Sequence, residues 1–185
     1  MTTVFLSGSR KIGRLNDMVR DRLQNMIDQN FRIIVGDANG ADKALQEFFA
    51  EAQYNNVLLF CAGSDCRNNV GNWDVKNVQV DPMLKGRDFY AQKDKKMASE
   101  ADYGFVLWDG RSAGSISNVI QLLKRQRRIV VYLWPEKKFF NVTVPQDAHE
   151  LLRYCNSADY SNIDRKIGLS KHLDDLNLSP QETLL

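Results

Sequence analysis

Histidine is nearly absent from this chain, His149 and His172 being its only two, so the commonest general base is missing from most of the sequence. Cysteine is scarce as well. Cys61, Cys66 and Cys155 are odd in number and lack metal-ligand spacing, so neither a disulfide framework nor a zinc site is supported, and free thiols are expected. No apolar run reaches the roughly 20 residues that a membrane span needs. The start, MTTVFLSGSR, enters an apolar strand without a basic leader or cleavage-type segment, so a cytoplasmic location and no membrane partner are expected. An excess of one charge is also lacking: Lys and Arg number 25 against 23 Asp and Glu. That balance offers no general polyanion field and so no strong evidence for a nucleic-acid partner. The first loop does not read G-x-G-x-x-G and G-x-x-x-x-G-K-[ST] occurs nowhere, which disfavours a standard nicotinamide site and a P-loop. No nucleophile elbow or Ser/His/Asp set is present either.

What is present is a regular alternation. With 185 residues, 43% of them hydrophobic, the chain can bury one α/β core. Apolar runs at 4–7, 33–35, 57–60, 103–107 and 129–133 predict strands. Between them, apolar residues recur at helical spacing over 15–27, 41–52, 86–101 and 115–125. The pattern predicts an α/β fold, a Rossmann-like parallel sheet with helices on both faces. The stretch 62–82 is polar and irregular, with a short strand at 78–80, and Pro135 ends the last strong strand. Short helices are expected around 147–154 and near 169–176. The division is therefore a main domain over 1–140 and a short, mostly helical C-terminal extension over 141–185.

Open parallel α/β sheets bind ligands outside the carboxyl ends of their strands, and three strands here run into polar, glycine-bearing loops. The first enters Ser7-Gly8-Ser9-Arg10, which offers amides, a hydroxyl and a guanidinium suited to phosphate. The second enters Gly36-Asp37-Ala38-Asn39-Gly40-Ala41-Asp42, directly before a helix. The strand over 103–107 enters Trp108-Asp109-Gly110-Arg111-Ser112-Ala113-Gly114-Ser115, again before a helix. Turn and cap chemistry alone also favours such residues. Asp42 reads equally as a first-turn carboxylate, Ser115 as an N-cap, Arg10 as a loop charge and Trp108 as core or as a surface for stacking a base. In the helix over 86–101, Lys93 and Asp94 interrupt an apolar face. They form either a Lys–Asp pair at the core edge or two groups pointing into the crevice. Arg87 has the same two readings, as a plain exposed charge or as a group pointing into the crevice.

Taken in order, these segments resemble the SLOG superfamily of Rossmann-like nucleotide-binding proteins, related to the Lonely Guy phosphoribohydrolases and to the DNA-uptake protein DprA. The resemblance covers roughly residues 3–134. It rests on Gly8-Ser9-Arg10, Gly36 through Asp42, Lys93-Asp94-x-x-Met97 with Ala101-Asp102, and Trp108-Asp109-Gly110-x-Ser112-x-Gly114-Ser115. The last block is similar to a subgroup marked by W-D-G-x-S-x-G-[ST]. The resemblance implies a ligand cradle of Gly8, Ser9, Arg10, Gly36, Asp37, Gly40, Ala41, Asp42, Lys93, Asp94, Trp108, Asp109, Gly110, Ser112, Gly114 and Ser115. It also places Lys93 where Lonely Guy enzymes carry a catalytic Arg and Asn118 where they carry a Glu. Neither replacement reproduces that chemistry, since Asn is no acid–base and Lys lacks the planar fork.

The expectation is accordingly a binder of nucleotides or their derivatives, of the AMP, ADP-ribose or NAD kind, acting as a sensor in a stress, phage or conflict setting. It requires no cofactor or metal and takes a small-molecule nucleotide as partner. Backbone amides of the Gly8, Gly40 and Gly114 loops would hold phosphate or ribose. Relatives with this fold imply a homodimer. One alternative is an N-glycosidase or ribosyl-transfer enzyme drawing on Asp37, Asp42, Asp94 or Asp109, with Lys93 and Asn118 as further catalytic candidates. Another is a protein-interaction module using the C-terminal extension.

Overall fold

Short runs of Val, Ile, Leu and Phe bounded by polar turns become the strands of one seven-stranded sheet in the computed structural model, which describes residues 1–178. The elements in chain order are β1 (Thr3–Gly8), α1 (Asp17–Asp28), β2 (Arg32–Gly36), α2 (Ala41–Glu51), β3 (Val57–Ala62), β4 (Val75–Val78) and α3 (Gly86–Glu100). There follow β5 (Tyr103–Trp108), α4 (Ala113–Leu123), β6 (Arg128–Leu133), β7 (Lys138–Val142), α5 (Pro145–Leu152), α6 (Ser157–Ile167) and α7 (Leu169–Leu178). Strand order is β4-β3-β2-β1-β5-β6-β7. Every neighbouring pair is parallel except β6 and β7. The expected Rossmann-like α/β architecture is the observed one.

Alternation along the strands builds two apolar layers. Val4, Leu6, Ile33 and Val35 join Val19, Leu23 and Met26 of α1 and Leu45, Phe48 and Phe49 of α2 on one face. The α1 stripe is started by Asn16, whose side chain accepts from the Val19 amide at 3.1 Å and satisfies one otherwise unpaired helix-end donor. Phe5, Ile34 and Phe60 meet Met97 of α3 and Ile116, Val119 and Ile120 of α4 on the other. The segment after residue 140 packs on that same layer through Ala148, Leu151, Ile163, Leu169 and Leu173.

Three elements differ from expectation. β4 pairs Val75 to Leu59 and Val78 to Ala62, earlier than the strand expected at 78–80. As an edge strand it is only half covered, so its apolar signal is weak. β7 forms an antiparallel edge beyond Pro135, where no strand was expected, returning through a turn with Lys137 at φ +50°. α6 buries only Ile163, and a helix so polar leaves no hydrophobic stripe to read.

The expectation of free thiols is also corrected. Cys61 and Cys66 are joined by a disulfide with Cα atoms 5.3 Å apart, because the chain folds back on itself directly after β3. Cys155 stays a thiol. Its Sγ donates to the Gly110 carbonyl at 3.1 Å, and burial raises its pKa to about 11. Among the described residues no helix is long and apolar enough to cross a membrane.

Candidate functional site

The strand order decides where a ligand can sit. After β1 the chain runs outward through β2, β3 and β4, then returns through α3 to place β5 on the other side of β1. Helix α1 leaves β1 towards one face and α4 leaves β5 towards the other. The loops diverge there and open a crevice at the switch point. It has a volume of about 670 Å³, within the usual range for ligand sites.

Ser9 ties the three loops together. Its Oγ donates to Asp109 Oδ2 at 2.8 Å, its amide donates to the Leu107 carbonyl at 2.9 Å, and its carbonyl accepts from the Ala41 amide at 3.1 Å. The approach of the first two loops is close enough that a Cβ on Gly40, which sits at φ +80°, would collide with the Arg10 backbone. In the third loop, Asp109 Oδ1 accepts from the amides of Arg111 at 3.2 Å and Ser112 at 2.8 Å. Ser112 then caps α4, accepting from the Ser115 amide at 3.4 Å.

The wall formed by α2 and α3 is a charge lattice. Lys93 is 3% exposed, and its Nζ lies 2.8 Å from Asp94, 3.9 Å from Asp37 and 4.0 Å from Asp42. Burial opposes its charge, but the carboxylates of Asp94 and Asp42 outweigh it and raise its pKa. Asp37 also accepts from Arg67 through Nε at 2.9 Å and Nη2 at 2.7 Å. Burial works against that carboxylate, yet the Arg67 hydrogen bonds and the Lys93 charge hold it below its usual range. Asp42 has only the Ala38 amide at 3.3 Å as a hydrogen-bond donor, and burial pushes its pKa up to about 6 against the pull of Lys93. A side chain at Gly36 would strike both Lys93 Nζ and the Asp42 carboxylate.

Of the residues expected at the site, Gly8, Ser9, Arg10, Gly36, Asp42, Lys93, Asp94, Asp109, Ser112, Gly114 and Asn118 line the crevice. Asp37, Gly40, Ala41, Trp108, Gly110 and Ser115 do not, although all stand in the loops behind it or at the ends of the strand and helices that flank those loops. Trp108 is fully buried among core side chains, which corrects its role as a stacking surface. The Ser9 amide is consumed internally, so the first loop contributes less open backbone than expected. Arg87 is not a plain exposed charge, since it donates to the carbonyls of Lys166 at 3.0 Å and Ala113 at 3.4 Å.

Sequence reasoning missed Arg67 and Tyr90, whose ring lies 4.0 Å beneath the Arg67 guanidinium and 5.7 Å from that of Arg10. It also missed the stripe Asp159, Asn162 and Lys166 with which α6 walls the crevice. Asp159 pairs with Arg111 at 3.3 Å.

No protein-family model matches the chain, and no curated protein matches it. Among solved structures, DNA processing protein A from Helicobacter pylori, described for its single-stranded DNA binding mode, has a TM-score of 0.55 and 14% identity to this chain. The likeness covers 90% of this chain and 80% of that one. Fold and crevice thus define a Rossmann-like α/β protein with its site at the topological switch point. Within that class, the fold is similar to that of DNA processing protein A, a SLOG member. The neighbour's DNA ligand corrects the expected partner, a small-molecule nucleotide without evidence for nucleic acid. Arg10, Lys11, Arg67, Arg87, Arg111 and Lys166 border the crevice, as do Asp42, Asp94, Asp109 and Asp159.

Proposed function

We propose that the crevice binds single-stranded nucleic acid, seating one backbone phosphate at the N-terminus of α4. The observation that carries this is the lining of the crevice by Ala113 and Gly114. As the first residues of the helix they have amides with no intrahelical acceptor, at the positive end of its dipole. The same crevice is lined by Ser7, whose buried Oγ has no hydrogen-bond partner among the described residues, and by Asn118, a buried residue with no side-chain hydrogen bond to any described residue. Arg10 and Lys11 are exposed at the opposite lip and supply charge along the strand's path. Tyr90, layered with the planar guanidinium groups of Arg67 and Arg10, offers a base a surface to stack on. The fold likeness to a protein described with single-stranded DNA supports the same reading. On the motif at 108–115 we assign the chain to the W-D-G-x-S-x-G-[ST] subgroup of the SLOG superfamily.

The test is fluorescence anisotropy with a labelled single-stranded oligonucleotide over a salt series, for the wild-type chain and for Gly114→Glu. Gly114 is exposed, and a Cβ there meets nothing closer than Ser112 Oγ at 3.9 Å. A carboxylate at this helix end suits the dipole but repels a phosphate. Binding should weaken as salt rises, and Gly114→Glu should lower affinity by about tenfold or more while the melting temperature holds. Absence of binding, or equal binding by the variant, would refute the proposal.

A further inference from the structure

Several polar groups in and behind the crevice are spoken for: Ser9 by Asp109, Lys93 by three carboxylates, Asp37 by Arg67. Asn118 is one that is not. It lies on the buried side of α4 with 6% exposure, lines the crevice, and makes no side-chain hydrogen bond to any described residue. A primary amide brings two donors and an acceptor, and those of Asn118 are free to face the crevice it lines. Ser7, 5% exposed at the end of β1, lines the same crevice with its Oγ equally without a partner. Neither side chain has a protein partner among the described residues, so the pair is suited to a group that arrives with the ligand.

The spacing indicates which group. Four residues of helix, a rise of about 6 Å, separate Gly114 from Asn118. If a phosphate sits at the helix end, the position one turn further along the floor falls to the sugar of the same nucleotide. A sugar hydroxyl both donates and accepts, which complements an amide and a serine hydroxyl lining one crevice.

We propose that Asn118, assisted by Ser7, makes the crevice selective for ribose over deoxyribose by taking up a 2′-hydroxyl. The inference rests on the nucleic-acid reading above and names the sugar class that this reading leaves open. A 2′-hydroxyl is the group by which a protein distinguishes RNA from DNA at a given site.

The experiment compares labelled oligo(rU) and oligo(dU) of equal length, which differ only in that hydroxyl, by anisotropy at one salt concentration. The wild-type chain should bind oligo(rU) about tenfold more tightly, the difference expected for one buried hydrogen-bonding group left unmet. In Asn118→Leu the two affinities should become equal, and in Ser7→Ala the ratio should shrink. Equal affinities in the wild-type chain, a preference for oligo(dU), or a preference that survives Asn118→Leu would each overturn the inference while leaving the nucleic-acid reading in place. Failure to bind either oligomer would overturn that reading and the sugar selectivity together. The wild-type comparison decides the matter even if Asn118→Leu does not fold.

Discussion

The two walls of the crevice use polar residues in opposite ways. On the α2/α3 side, Lys93, Asp37, Asp42, Asp94 and Arg67 satisfy one another within 4.0 Å, so little of that charge is left for a ligand. On the α4 side, the amides of Ala113 and Gly114 and the Asn118 side chain make no hydrogen bond to a described residue, and the buried hydroxyls of Ser7 and Ser115 have no partner among the described residues. Buried ions are tolerated only when paired, and unpaired neutral donors cost less than unpaired charges. The first wall therefore holds the loops in place, and the second is where a ligand gains most. A crevice rich in charged residues need not be bound through those charges.

The comparison can be broken experimentally, and the largest effect belongs to the closed wall. Lys93→Met leaves three carboxylates facing one another and should cost about 3 kcal/mol of unfolding free energy in urea denaturation. A cost near zero would mean that the lattice is not structural. Ser9→Ala removes the hydroxyl linking two loops and strands the Asp109 oxygen that receives it, for a loss of about 1.5 kcal/mol by the same measurement. Ser112→Ala acts on the open wall, costing about 1 kcal/mol or less as a lost N-cap. It should lower oligonucleotide affinity more than Ser9→Ala does.

A pH dependence tests the closed wall in a different way. The folded pKa of Asp42 is raised from 3.8 to about 6, so folding favours its protonated form. Its contribution to stability is complete below the unfolded value and is lost as pH rises through about 6. Asp37, held low by Arg67 and Lys93, behaves in the opposite sense: its contribution is present above 3.8 and is lost as pH falls. Carboxyl NMR titration should find an Asp42 midpoint near 6. A midpoint near 3.8 would show that the carboxylate is solvated and the wall open.

Much of this was readable beforehand, for identifiable reasons. Gly8-Ser9-Arg10, Gly36 through Asp42 and Asp109 through Ser115 announce strand-to-helix turns through glycine, caps and short polar side chains, which are local signals. Lys93 and Asp94 stood out by breaking an apolar helix face. Other features carried no local signal. Arg67 sits in an irregular polar stretch where nothing marks its partnership with Asp37, thirty positions away. The crevice face of α6 is Asp159, Asn162 and Lys166, polar by nature and invisible to any search for hydrophobic periodicity. Trp108 lies in a strand buried on both faces, where alternation cannot say which way a side chain points.

The amino-acid sequence alone determined the class of fold and the position of its turns, because helix and strand periodicities and cap residues act over a few neighbours along the chain. Tertiary structure alone decided that β5 lies beside β1, that a loop disulfide closes between Cys61 and Cys66, and which polar groups satisfy one another. Those outcomes depend on pairings between distant segments, and they place Asn118 in the lining of the crevice with no side-chain hydrogen bond to any described residue.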